Sequence, residues 1–331
     1  MNPRPTVALA MGPDTAALAL PPALRERLSG SVELWDGVIS DFVAVEPRLA
    51  DLEVLLTSWQ CPVVDEAFLD AAPKLQAIVH AAGSVKHLPP QVWERGIRVS
   101  SAAAANARPV AQYTVSAILL AGKGVFGLSH AYAQGEFAHP ADIGNHAQVA
   151  GVIGASLVGR LVLPRLAAEG FRLLLHDPTL TPRQAAEICP QADVELVELD
   201  ELLRRSDVVS VHAPALPETR HLLDERRLGL LRDGAVLVNT ARGQLIDTEA
   251  LVEHCVPGRI SAVLDVTDPE PLPAGHPLFS LPNVLVTPHL AGALGNEISC
   301  LGAFAVAEIE RIAAGRPLVG QVDFAELSHL A

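Results

Sequence analysis

Three stretches in the C-terminal half of the chain each follow an apolar run with one ionisable side chain: Arg242 in "VNTARGQLID", Glu270 in "LDVTDPEPLP" and His289 in "VTPHLAGAL". The apolar runs read as strands of an open parallel sheet, and such sheets place active sites outside the carboxyl ends of their strands. One cationic fork, one carboxylate and one imidazole at that address are what hydride transfer to a 2-oxo acid needs. The arginine would bind the substrate carboxylate and polarise the ketone in a bidentate way. The histidine would donate the proton, and the glutamate would orient the imidazole and favour its protonated form. Taken singly, an arginine after a strand is usually half of a surface ion pair, and a lone histidine is usually a hydrogen-bonded turn residue. The combination carries the argument.

Hydride transfer also needs a carrier. "VAGVIGASLVGRLV" (149–162) reads as a strand, a glycine turn and a helix start. Gly154 and Gly159 hold the first and third positions of a G-x-G-x-x-G turn, and Ser156 stands at the second, where a small side chain must let a phosphate approach. Such a turn sets backbone N–H groups and the positive helix end against a pyrophosphate. Alone, the loop reads equally well as a buried strand-turn-helix. Asp177 shifts the balance, because it ends the next strand, "RLLLHD", about 20 residues on, where a carboxylate accepts both adenosine ribose hydroxyls. It would repel a 2′-phosphate, and no arginine immediately follows in "DPTLTP". NAD is therefore favoured over NADP, with Arg183 keeping the second cofactor open.

The elements that must position these residues alternate in type. In the first hundred residues "TVALAMG", "VELWDG", "LEVLLTSW", "LQAIVHAAG" and "IRVSS" read as strands, with helical patterns such as "DEAFLDAAP" between them. "NARPVAQYTVSAILLAGKG" reads as one long helix, apolar nearly all round, which predicts burial between domains or subunits. From Gln148 the rhythm restarts with strands "VAGVIG", "RLLLHD", "DVVSVHAP", "AVLVNTA", "ISAVLDV" and "NVLVTPH". Helices "LVGRLVLPRLAAEG", "LDELLRRS", "DERRLGLLRDG" and "DTEALVEHC" alternate with them. Pro164 should kink the first of these helices or end it early. The amphipathic "NEISCLGAFAVAEIERIAAG" could return to pack on the first domain. The alternation implies α/β layers with parallel sheets covered on both faces.

Composition bounds the rest. A chain of 331 residues suggests two domains on a prior of roughly 150 residues each. A net charge of −14 argues against a nucleic-acid partner. Cys61, Cys189, Cys255 and Cys300 are scattered, with no C-x-x-C, so neither a metal site nor a disulfide framework is indicated and a reducing cytoplasm is the simplest compartment. The N-terminal region is broken by prolines and Asp14 and reads as a strand, not a signal peptide. No run reaches the roughly 18 apolar residues of a membrane span.

The motifs "SDVVSVHAPALPETRHLL", "LVNTARGQLIDTEAL", "AVLDVTDPEPLP" and "LPNVLVTPHLAG" resemble the D-isomer-specific 2-hydroxyacid dehydrogenase family, the group of phosphoglycerate, D-lactate, glyoxylate/hydroxypyruvate and formate dehydrogenases. The resemblance runs from about Leu52 to Pro317 and is strongest from Asp207 to Gly292. It implies two Rossmann-like doubly wound domains: a discontinuous, flavodoxin-like substrate-binding domain at 1–101 and 292–331, and a nucleotide-binding Rossmann domain at 102–291 that forms a homodimer. It implies that Arg242, Glu270 and His289 are catalytic and that Asp265 holds the nicotinamide carboxamide. His212, Ala213, Pro214, Thr219, Thr240, Ala241 and Gly292 would line the cofactor with Arg242 and His289, and Leu157 and Val158 would offer N–H groups to the pyrophosphate. Backbone at Ala82, Gly83 and Ser84 would hold the substrate carboxylate.

The chain departs from the family pattern at three places. The glycine turn has Ser156. The substrate loop reads "AAGSVKHL" where "GAGVDNID" is usual, with Lys86 and His87 as solvated surface or as contacts to an anionic substrate. Gln112 stands where a glutamate is frequent. The reading is a homodimeric NAD-dependent dehydrogenase for a small D-2-hydroxy or 2-oxo acid. Its rivals are an NAD-sensing binding protein of the corepressor kind, which would need a peptide groove or tail, and a dehydrogenase of the same fold with an unusual substrate, such as a phosphonate-bearing oxoacid or an inorganic hydride donor.

Overall fold

The computed structural model describes residues 4–137, 140–141 and 143–329, so the outer domain limits expected at 1 and 331 lie outside the described residues. Two compact units result: the chain up to Ala107 together with the chain from Ala293 on, and Arg108–Gly292. The first division falls inside the helix Ala103–Gly122, where 101/102 was expected. Ala105, in that helix's first turn, packs with Ala102, Ala293 and Leu301 of the first unit.

The first unit holds a five-stranded parallel sheet of β1 (Thr6–Ala10), β2 (Glu33–Leu34), β3 (Val54–Thr57), β4 (Ala77–His80) and β5 (Arg98–Ser101), in the order β2-β1-β3-β4-β5. That order is the flavodoxin-like one. The inner strands are apolar almost throughout because both faces are covered. Val7, Leu9, Val54 and Leu56 face one core, and Ala8, Leu55 and Ile78 face the other. The helix Ile298–Ala313 closes the first face with Ala305, Val306, Ile309 and Ile312. The "VELWDG" strand contracts to the two residues of β2, at the sheet edge.

The second unit holds seven parallel strands: β6 (Val149–Ile153), β7 (Arg172–His176), β8 (Val194–Leu196), β9 (Val208–Val211), β10 (Val236–Asn239), β11 (Ser261–Leu264) and β12 (Val284–Val286). Their order is β12-β11-β10-β9-β6-β7-β8. The sheet begins in its middle at β6 and winds outward both ways, which creates a topological switch point between β6 and β9. All registers are parallel, so every strand delivers its carboxyl end to the same edge.

The structure narrows one expectation about helices and corrects another. The helix Leu157–Ala168 runs through Pro164 without ending. Proline removes one backbone hydrogen bond there, but Val162, Leu163 and Leu166 are fully buried and the Arg165 guanidinium donates to the Leu161 carbonyl at 2.6 Å. "DERRLGLLRDG" yields only Glu225–Leu228, capped by Asp224. In the single chain, Ala104, Arg108, Gln112, Ser116 and Leu120 of the long helix, spaced by four, form an exposed stripe. Among the described residues no single helix is long and apolar enough to cross a membrane.

The last helix approaches the helix Pro13–Ala19 so closely that a Cβ on Gly302 would meet the Ala19 carbonyl oxygen at 1.7 Å. Gly302→Ala is expected to destabilise the first unit by about 1–3 kcal/mol through overpacking, although alanine favours a helix interior. Trp35, Trp59 and Trp93 are the chain's three tryptophans and all lie in this unit. Fluorescence-detected urea unfolding therefore reports the change directly, and an unaltered midpoint would refute the close approach.

Candidate active site

The glycine turn follows β6. Gly154 has φ +94°, and a Cβ there would come within 2.7 Å of the Ala213 nitrogen and 2.8 Å of the His212 carbonyl. Glycine is thus required both for its left-handed backbone and for the approach of the loop after β9. A Cβ on Gly159 would sit 2.1 Å from the Gly154 carbonyl oxygen, so only glycine lets the first helical turn lie on the loop. Ser156 differs: its φ of −65° and ψ of 179° are ordinary extended backbone, and its Oγ caps the helix by accepting from the Gly159 N–H at 3.4 Å. Serine is tolerated because this position has no need of a left-handed backbone. The amides of Leu157 and Val158, at the first two helical positions, have no intrahelical acceptor and stand at the positive end of the helix. These features fit a pyrophosphate.

Asp177 follows β7. Its carboxylate accepts from Ala155 N–H at 2.8 Å, from Thr179 N–H at 2.9 Å and from Thr179 Oγ1 at 2.6 Å. Burial works to raise its pKa, but the hydrogen bonds from Thr179 and Ala155 outweigh it and hold the carboxyl below its usual range. A carboxylate has about four acceptor sites. Three donors already hold the Asp177 carboxylate in place after β7.

His212, Ala213 and Pro214 follow β9. The His212 backbone abuts Gly154, while its ring is buried with Nε2 at 2.8 Å from Ser210 Oγ. Burial pushes this imidazole down to about 3, so it is neutral. Thr219 braces the same loop, donating to the Pro214 carbonyl at 2.7 Å and accepting from Leu216 N–H at 2.8 Å.

The ionisable trio stands at the carboxyl ends of three adjacent strands. After β10, the Asn239 side chain accepts from Ala241 N–H at 3.0 Å and donates to the Arg242 carbonyl at 2.9 Å, which pins 240–242 from both ends of one amide. Thr240 Oγ1 lies 2.8 Å from Thr114 Oγ1. A Cβ on Gly243 would fall 1.9 Å from the Thr267 carbonyl oxygen, so the arginine loop rests directly on the segment leading to Glu270. The Arg242 guanidinium donates to the Ala241 carbonyl at 2.6 Å. Burial draws its pKa below the usual arginine value and the Glu270 charge opposes this; an arginine stays protonated throughout.

After β12, His289 adopts φ +54°, a conformation that residues with a Cβ seldom take. Its Nδ1 lies 2.6 Å from Glu270 Oε1. An ionised carboxylate only accepts, so Nδ1 carries the hydrogen and Nε2 is the nitrogen left for chemistry. The His289 N–H donates to the carbonyls of Asp265 and Thr287 at 2.9 and 3.0 Å.

Asp265, after β11, is buried at 2 % exposure. Its carboxylate accepts from Thr287 Oγ1 at 2.6 Å and from the N–H groups of Leu290 and Ala291 at 2.9 Å each. It therefore grips the turn that carries His289, a task that sequence reasoning missed. The available signal was an acid placed directly after the apolar residues 262–264 that end β11.

Arg242, Glu270 and His289 thus meet in the second unit, of which Gly292 is the last residue. Ala82, Gly83 and Ser84 belong to the first unit, after β4. There Ser101 Oγ donates to the carbonyls of Ala82 and Gly83 at 3.2 and 2.5 Å. Lys86 and His87 are exposed, and the His87 ring lies 5.1 Å from that of buried His80.

A glycine turn at a switch point, followed by an acid after the next strand, defines a dinucleotide-binding Rossmann protein. The chain belongs to the D-isomer-specific 2-hydroxyacid dehydrogenases: residues 115–291 match the family model described as "D-isomer specific 2-hydroxyacid dehydrogenase, NAD binding domain". It is 34% identical over 303 residues to the D-3-phosphoglycerate dehydrogenase of Mycobacterium bovis, covering 89% of this chain and 55% of that one. The chain therefore spans about half the length of that curated relative. It is also 34% identical over 239 residues to the glyoxylate reductase of Thermofilum pendens, covering 70% of this chain and 69% of that one. The apo D-mandelate dehydrogenase of Rhodotorula graminis shares the fold, with a TM-score of 0.82 at 23% identity over 97% of this chain and 98% of that one.

The roles of Gly154 and Ser156 separate in a fluorescence titration with NADH. Gly154→Ala is expected to weaken binding at least tenfold, since the added Cβ meets backbone that cannot yield. Ser156→Gly should stay within a few-fold of the parent, because glycine costs only a few tenths of a kcal/mol at a helix N-cap. Ser156→Leu should abolish binding, and retention of affinity in that variant would mean the loop holds no phosphate.

Proposed function

We propose that the protein is an NAD-dependent dehydrogenase that exchanges hydride between nicotinamide and a small D-2-hydroxy or 2-oxo acid. The observation that carries this reading is the His289–Glu270 pair at 2.6 Å, with Nε2 left over, in the loop layer that also holds Arg242. Bound NADH supplies the hydride that reaches the carbonyl carbon. His289 gives the Nε2 proton to the carbonyl oxygen, and Glu270 holds the ring and stabilises the imidazolium. Arg242 takes the substrate carboxylate and the growing charge on oxygen with its planar fork. The amides of Ala82, Gly83 and Ser84 take a carboxylate in the first unit, and Asp265 uses its remaining acceptor site for the carboxamide. The charged Asp177 disfavours a 2′-phosphate, so NADH binds more tightly than NADPH. His212, Ala213, Pro214, Thr240 and Ala241 line the cofactor chiefly through backbone, with Thr219 shaping their loop.

We also propose a homodimer. No residue of the helix Val125–Ala133 is buried, and Leu120, Val125, Tyr132 and Ile143 are all exposed apolar side chains on one continuous segment of the second unit. Exposed apolar surface of this kind marks an interface, and a second copy covers it. All four cysteines are free thiols, which suits a reducing cytoplasm. Light scattering at micromolar concentration should give twice the chain mass, and a monomer would contradict the assignment.

The chemistry is tested with NADH and a panel of small 2-oxo acids, with pH profiles of kcat/KM. His289→Gln should lose turnover by roughly 10²–10⁴-fold, as expected of a general acid, with NADH binding nearly unchanged. Arg242→Lys should raise KM for the oxo acid and lower kcat together. Glu270→Gln removes the counter-charge that favours the imidazolium, so reduction should fail at a lower pH than in the parent. A His289→Gln protein with full activity would remove the proton-donor assignment. NADH binding without turnover on any 2-oxo acid would favour a cofactor-sensing protein.

A further inference from the structure

The helix Ala103–Gly122 carries Tyr113 and Thr114 side by side, and each reaches a different catalytic loop. Successive residues of a helix point about 100° apart, so the pair can serve the loops after β10 and after β12 at once. Thr114 Oγ1 donates to the Val110 carbonyl at 2.8 Å and so must accept from Thr240 Oγ1 at 2.8 Å. Tyr113 OH lies 2.7 Å from Thr287 Oγ1, which lies 2.6 Å from Asp265 Oδ1.

Each hydroxyl has one proton, and this fixes the direction of the second chain. The Asp265 carboxylate can only accept, so Thr287 must donate to it. Thr287 therefore has only lone pairs for Tyr113, and Tyr113 must donate. The order is Tyr113 O–H to Thr287 O–H to the Asp265 carboxylate. The same carboxylate takes the N–H groups of Leu290 and Ala291, while the His289 N–H meets the backbone carbonyls of Asp265 and Thr287. Both sides of His289 are thus tied to one buried acid, and the residue between them sits at φ +54°. A left-handed backbone at a non-glycine residue persists only where its surroundings over-determine it, and these bonds are such surroundings. In the sequence, Tyr113 and Thr287 are 174 positions apart.

We propose that Tyr113 and Thr287 are positioning residues for the proton donor: they orient the Asp265 carboxylate so that the 287–291 turn presents His289 Nδ1 to Glu270 and Nε2 to the substrate. The inference rests on the reading of His289 as the acid, and it assigns to the long helix a task beyond packing.

The test uses the 331-residue protein and four variants. Thr287→Val keeps the shape and removes the hydroxyl. It should lower kcat for 2-oxo acid reduction roughly tenfold or more, since displacements of an ångström at a reacting group cost up to about 10²-fold. The Kd for NADH should stay within about threefold. As the turn loosens, the imidazolium loses contact with Glu270, so the alkaline limb of the pH profile should move to lower pH. Thr287→Ser restores the hydroxyl and should bring kcat back to within about twofold of the parent, a rescue that general destabilisation would not give. Tyr113→Phe should show a smaller loss of kcat with the same shift in profile. His289→Gln is measured beside them. If it is active, the proton-donor reading fails and takes this inference with it. If it is inactive while Thr287→Val keeps the parental kcat and pH profile, this inference alone fails. A Thr287→Val defect lying wholly in NADH affinity overturns it too, because the hydroxyl would then serve only the cofactor side of Asp265.

Discussion

Everything in the candidate site depends on seven strands running the same way. A parallel ladder obliges the chain to travel back along the sheet after each strand, and each return delivers the next strand's carboxyl end to the same edge. That single constraint gathers the glycine turn, Asp177, the His212 loop, the Arg242 loop, Asp265 and His289 from positions far apart in sequence. The strands bury both faces and so spend their apolar residues on the two cores, as Val152, Leu174, Val209 and Val238 do. Polar chemistry is confined to the residues immediately past each strand.

The site shows how few polar side chains are free once the loops are built. Asn239, Asp265, Thr219 and Ser156 each use side-chain atoms to hold backbone. Asp177 does so partly, through Ala155. Buried backbone groups must find partners, and in tight loops short polar side chains supply them. One of the chain's left-handed non-glycine residues, His289, stands among those partners.

Much of this was legible in the sequence. The alternation of strands and helices, the glycine turn and the three strand-end ionisable residues follow from local pattern, and the side-chain period and turn chemistry write those patterns directly. The exposed stripe of the 103–122 helix was not read, because alanine and serine there are as small as core residues and only Arg108 and Gln112 announce solvent. That the helix continues past Pro164 was not legible, because the proline's cost is local while the burial that outweighs it comes from distant residues. Asp177 and Asp265 were read as ligand contacts; that both also bind backbone depends on loop geometry beyond the reach of spacing. Short edge elements such as β2 and β8 carry too few residues to show a period.

The closing helix of the first sheet has a consequence for the order in which the protein can be made. Val7, Leu9, Val54 and Leu56 present one apolar face, and its cover includes Ala305, Val306, Ile309 and Ile312. During synthesis the strands emerge long before that helix, with the entire second unit translated in between. At about 5–20 residues per second the delay is on the order of ten seconds or more. Through that interval this face of the nascent sheet is only partly covered, by residues such as Ala16, Ala19 and Leu28, while the second unit, contiguous in the chain, can complete its own core. The natural order of maturation is therefore inverted: the half begun first is finished last, and a ribosome-associated chaperone has a defined face to shield until the C-terminal helix arrives.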